Sequence, residues 1–112
     1  MKHQPLALAL MLFSAAALAE VKPLPRAEWP QSVAGAVPRI LSALLPTQRA
    51  IIGGTSKDSL FLMQGEWGED VGQLLGLQNG NTALVDATCG RPCNADEATL
   101  LLMEAAWEAL QH

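Results

Sequence analysis

The apolar run Leu6–Ala17 (LALALMLFSAAA) decides how much of this 112-residue chain is left to fold. Lys2 and His3 precede it, and Ala17-Leu18-Ala19 closes it as a small-x-small site ahead of Glu20. A basic start, an apolar middle and a small-residue end are the order of a secretory signal peptide. The run is about a dozen residues, short of the roughly 20 needed for a helix to span a bilayer. The sequence therefore predicts a signal peptide over 1–19, cleaved on export to the periplasm or medium, with no membrane anchor after cleavage. The residue directly after the cleavage point is Glu20 rather than a cysteine, which argues against a lipid-anchored form. What then folds is Glu20 to His112, 93 residues. The expected organisation is an extended segment over 20–31 and a single helical domain over 32–112.

A chain of that length forms one small core, burying roughly 60–65% of its unfolded surface. Covalent support is useful at this size, and Cys89 and Cys93 are the only cysteines. In an oxidising compartment they are expected to pair as a disulfide closing a short loop. Redox or metal chemistry is the competing reading. The spacing is Cys-x-x-x-Cys rather than Cys-x-x-Cys, and no βαβ pattern surrounds it. Zinc needs two further ligands, while the exported chain offers one histidine, His112. The sequence points to a structural staple, with no metal and no cofactor.

Loss of Lys2 leaves six basic residues against eleven acidic ones, a net charge of −5. The basic residues are scattered, so the chain has no electrostatic footprint for nucleic acid. Anionic lipid headgroups should repel it too.

Pro23, Pro25 and Pro30 mark the lead-in as extended or poorly ordered, with Trp29 expected to fold back on the first helix. From Val33 to Leu44 apolar residues recur at helical spacing, with Ser32 as N-cap. Pro38 lies inside that pattern, as a kink or as the true first turn. A short helix over Thr47–Ile52 stops at Gly53-Gly54. Thr55–Asp58 offers a capping-box-like start to a further helix. Gly65, Gly68 and Gly72 share one face of it, suited to close helix packing or to a partner groove. Gly76 is a helix C-terminal residue, Gln78–Asn81 a turn, and Thr82–Ala87 a further helical turn. Asn94 caps the last helix, with Glu97 three positions on. Leu100, Met103, Trp107 and Leu110 are read as its core stripe, widened by Leu101, Leu102, Ala105 and Ala109. No strand pair or internal repeat is visible. The class is all-α, a small bundle of four to five helices.

Three stretches carry a family likeness. Gly68-Glu69-Asp70-Val71 leads into Leu75-Gly76-Leu77, followed by Asn81 and Leu84; Asp96-Glu97-Ala98-Thr99 opens a helix; Trp107-Glu108-Ala109-Leu110 closes it. Over roughly Pro30 to Leu110 the chain resembles a small bacterial family catalogued as domain of unknown function 6794. That family's pattern carries an Arg-Asn pair before its Gly-Leu, and often a tryptophan after it. Here those places hold Gly72, Gln73 and Gln78. The resemblance implies a compact helical domain with no assigned activity, and it carries over no catalytic residue.

Nucleophilic catalysis fails on inventory. The serines of the exported chain have no histidine base but His112 at the chain terminus. No nucleophile elbow is present, and Gly53-Gly54-Thr55-Ser56-Lys57 lacks the spacing of a phosphate loop. Glu66 and Asp70 are four apart and could serve as an acid–base pair on a glycan, but an acidic run beside a helix is ordinarily a solvated face. Trp29, Trp67 and Trp107 are better used as core anchors than as a ligand cage. Of the three, Trp67 is flanked by Glu66, Glu69 and Asp70 and is the one expected to be exposed. The leading expectation is an exported, non-enzymatic protein-binding domain of the inhibitor or immunity type. Its partner surface is Glu66, Trp67, Glu69 and Asp70, and its partner an unknown, basic protein. An envelope-maintenance homodimer is the second reading, and a small glycan hydrolase the third.

Overall fold

The computed structural model describes residues 22–112; the predicted signal peptide lies outside them. Five α-helices form the domain: α1 (Val33–Ser42), α2 (Pro46–Gly53), α3 (Glu69–Leu75), α4 (Thr82–Cys89) and α5 (Ala95–Leu110). A 3-10 turn over Arg26–Glu28 precedes α1, and between α2 and α3 run a 3-10 helix (Lys57–Met63) and a π turn (Gln64–Gly68). No strand occurs among the described residues.

Local chemistry sets most boundaries. The Ser32 hydroxyl accepts from Gly35 N at 3.1 Å and starts α1. The helix begins at Val33, so Pro38 is an interior residue rather than a first-turn one. Its ring is exposed, as is Ala34, whose carbonyl has lost a helical donor and can take water instead. Pro46 then opens α2 from its first position, where the missing N–H costs nothing. Gly76 ends α3 in the left-handed region at φ 70°, its N–H donating to Gly72 O. Asn94 caps α5 by accepting from Glu97 N at 2.8 Å.

The stretch after Gly54 departs from expectation. In place of one α-helix from Asp58 onward, the backbone winds as 3-10, then π, then α. Ser56 makes no side-chain cap; its hydroxyl donates to Ser59 Oγ instead. Gly65, Gly68 and Gly72 lower helix propensity here by about 1 kcal/mol each, so tertiary contacts select the winding.

Helix α5 packs against every other helix and is central to the bundle. Its buried face is Ala98, Thr99, Leu102, Met103 and Ala106. The expected stripe is therefore rotated: Leu100, Trp107 and Leu110 are only half-buried, and Leu101 is exposed. Hydrophobicity nearly all round the helix left its facing open, and the positions of its neighbours decided it. Around it lie Ile40, Leu60, Val71, Leu75 and Leu84, all essentially fully buried. The Cys89–Cys93 disulfide joins the end of α4 to the approach to α5, as expected.

The proline-rich lead-in is docked rather than loose. Leu24 N donates to Leu74 O at 3.0 Å, and the Trp29 indole N–H donates to Leu24 O at 3.1 Å. The Trp29 ring lies over Gly76, at the end of α3, where any Cβ would collide with it. The guanidinium of Arg26 stacks on the ring, 4.9 Å from its centroid. Buried Asn81 ties the corner together. Its side chain donates to Pro30 O and Leu75 O and accepts from Leu84 N.

Candidate functional site

The four residues expected to face a partner are divided by the fold. Glu66 and Glu69 are exposed and Asp70 is half-buried, but Trp67 is only 6% exposed. Trp67, Val71, Leu74 and Leu75 fall at the spacing of one helical face, and that face enters the core. The flanking acids occupy the other side of the turn and say nothing about where the ring goes. The order among the tryptophans is thus reversed, with Trp29 and Trp107 half-buried. The Trp107 indole N–H donates to Thr55 O at 2.7 Å.

The carboxylates that remain form an uncompensated acidic surface. Among the described residues, ion pairs join Arg39 to Glu28, Lys57 to Glu108 and Arg91 to Glu97; none involves Glu66, Glu69 or Asp70. Burial pushes the Asp70 carboxyl above its ordinary value, and the neighbouring charges of Glu69 and then Glu66 raise it further.

Beside this surface runs a groove of about 690 Å³. Its floor is Gly65, Gly68 and Gly72. Gly68 is buried against Met103, where an added Cβ would lie 3.2 Å from Sδ. Gly72 faces Thr99, at 3.8 Å by the same construction, while a Cβ on Gly65 would meet nothing. The glycine face thus serves internal packing at two positions and leaves open space at the third.

Gln64, Glu69 and Gln73 line the groove from the π turn and α3. Gln78 and Asn79 come from the turn after α3, and Asp96 and Thr99 from α5. Asp96 is held from both sides: Gln64 Nε2 donates to its backbone oxygen at 3.2 Å, and Gln78 Nε2 to its Oδ1 at 3.1 Å. The Thr99 hydroxyl donates to Ala95 O at 2.7 Å. Gln73 and Asn79 make no side-chain hydrogen bond within the described protein. No cation and no aromatic ring lines the groove. Glu66 and Asp70 are outside it.

The signal for this site was present in two pieces. The shared face of the three glycines marked the floor, and Gly72, Gln73 and Gln78 were the places of departure from the resembled family's pattern. Asp96 and Thr99 are brought in only by tertiary packing of α5, which no local pattern reveals.

Fold and site together define a small, disulfide-closed helical domain with an acidic, glycine-floored groove. No family model matches the chain, and no curated protein or solved structure does so either. Among the described residues, no cluster of His, Cys, Asp and Glu could hold a metal ion, and no helix is long and apolar enough to cross a membrane.

Proposed function

We propose that this protein is an exported, non-enzymatic binding domain that acts on a basic protein partner, in the manner of an inhibitor or immunity protein. The observation that carries this is the unpaired acidic surface of Glu66, Glu69 and Asp70 on a helical, disulfide-bonded scaffold. Uncompensated carboxylates steer oppositely charged partners and set their orientation more than they add raw affinity. Export to an oxidising compartment belongs to the same proposal, and the disulfide supports it. So does kinship with domain of unknown function 6794. In this fold its three stretches fall on structural places: the α3 corner with Gly76 and Asn81, the capped start of α5, and its Trp107 end.

The test is to express the tagged chain in its own host, cross-link, and identify what co-purifies. A near-stoichiometric exported toxin or hydrolase, lost when Glu66 and Glu69 are changed to lysine, supports the reading. Capture unaffected by that charge reversal removes this surface from it.

The homodimer reading has one observation of its own. Phe61 and Leu62 are 56% and 72% exposed on consecutive positions of the 3-10 helix. With Gly68 and Gly72 committed to α5, a dimer would use these side chains rather than the glycines. Sedimentation of the wild type and of Leu62→Glu separates the two readings.

A further inference from the structure

The groove over Gly65, Gly68 and Gly72 has a chemistry that selects one class of occupant. Its walls offer carboxamides at Gln64, Gln73, Gln78 and Asn79 and carboxylates at Glu69 and Asp96. Anions find no cation there to receive them. A sugar or nucleobase finds no aromatic platform to stack on, and no large apolar side chain lines the groove to hold an apolar helix. Side-chain amides both donate and accept, which suits the alternating N–H and C=O groups of an extended backbone. At Gly65, where an added Cβ would meet nothing, such a backbone has room to come close. The carboxylates then supply partners for cationic side chains projecting from it. The π turn between the 3-10 helix and α3 contributes Gln64, Gly65 and Gly68 to the groove, and such turns are frequent at functional sites.

We infer that this groove seats an extended peptide segment bearing lysine or arginine, supplied by the partner. The inference rests on the protein-binding reading and adds to it the partner's local chemistry and a seat distinct from the Glu66 and Asp70 surface. Glu69 belongs to both. Its exposed carboxylate reads the cationic side chain, Gln73 and Asn79 are free to meet the backbone, and Asp96 is already positioned by Gln64 and Gln78.

Gly65 gives a clean way to close the site. It is exposed, lies outside the left-handed region, and an added Cβ meets nothing within 4 Å. Gly65→Leu therefore adds a side chain at a lining position where a Cβ has room, and its melting temperature should match or exceed that of the wild type. The experiment titrates the purified, isotope-labelled protein with the capped peptide acetyl-Gly-Lys-Gly-Arg-Gly-amide and follows amide resonances. A matched peptide with glutamate in both charged places is the control. Expected are shifts centred on Gly65, Gly68, Gly72 and Asp96, absent with the acidic peptide and abolished by Gly65→Leu. Glu69→Gln should weaken the association about tenfold, the scale of one charge-assisted hydrogen bond. Shifts centred on Glu66 and Asp70 that survive Gly65→Leu would overturn the groove while leaving the protein-binding reading intact. Equal response to the acidic peptide, or none in the groove at millimolar peptide, overturns the inference whatever the cross-linking shows.

Discussion

Single side chains carry unequal weight in this domain, and the three tryptophans measure it. Trp67 enters the core, so Trp67→Ala should destabilise by about 3–5 kcal/mol. Trp107 is half-buried and should cost less, with Trp107→Phe isolating its bond to Thr55 O at about 1 kcal/mol. Urea denaturation of the three variants checks the order; equal losses at 67 and 107 would contradict it. Asn81 makes more connections than any tryptophan. Its loss to alanine removes the α4 cap and leaves the buried Leu75 carbonyl and the half-buried Pro30 carbonyl without that donor, about 2–4 kcal/mol together. Asp70 is the residue with a pH signature. Its carboxyl is raised above 3.8 in the folded state, so the native protein holds that proton more tightly than the unfolded chain does. The stabilisation this gives is complete at pH values below 3.8 and is lost as pH rises through the folded value. Asp70→Asn should therefore be more stable than the wild type at pH 7, the difference closing at pH 3. Urea midpoints at the two pH values test the sign.

Among the elements, those with local signals were legible and those without were not. Ser32, Asn94 and Gly76 marked their helix ends because caps act over three or four residues, within reach of sequence reading. The facing of α5 was misjudged because Leu100, Leu101, Leu102 and Met103 are alike in hydrophobicity and differ only in what lies opposite. Gln64–Gly68 was read as α-helix because π winding has no compositional signature. The lead-in was read as extended or poorly ordered from its prolines, whereas Trp29 over Gly76 and Leu24 on Leu74 fasten it. Reducing Cys89–Cys93 should cost about 2 kcal/mol, the chain-entropy value for so short a loop. Asn94→Ala should cost about 1 kcal/mol at the start of α5. Thermal melts with and without reductant measure both.

At the scale of the whole molecule, the all-α class and the disulfide followed from periodicity and cysteine count, whereas the groove needed the third dimension. Six of its ten lining residues come from the stretch Gln64–Gln73 and the other four from the turn after α3 and from α5. If the protein is exported as proposed, mass spectrometry of material from its host should find it starting at Glu20 and two hydrogens lighter than the reduced chain. An intact Met1 or free thiols would contradict export. The winding between Lys57 and Leu75 has a kinetic consequence. Backbone bonds there change from three-residue to five-residue to four-residue spacing within nineteen residues, and each junction is a place where the ladder opens cheaply. Amides from Gln64 to Gly68 should therefore exchange with deuterium sooner than those of α5. Because the same backbone is the groove's floor, an occupant would register there as a clock slowed, long before it altered any average position.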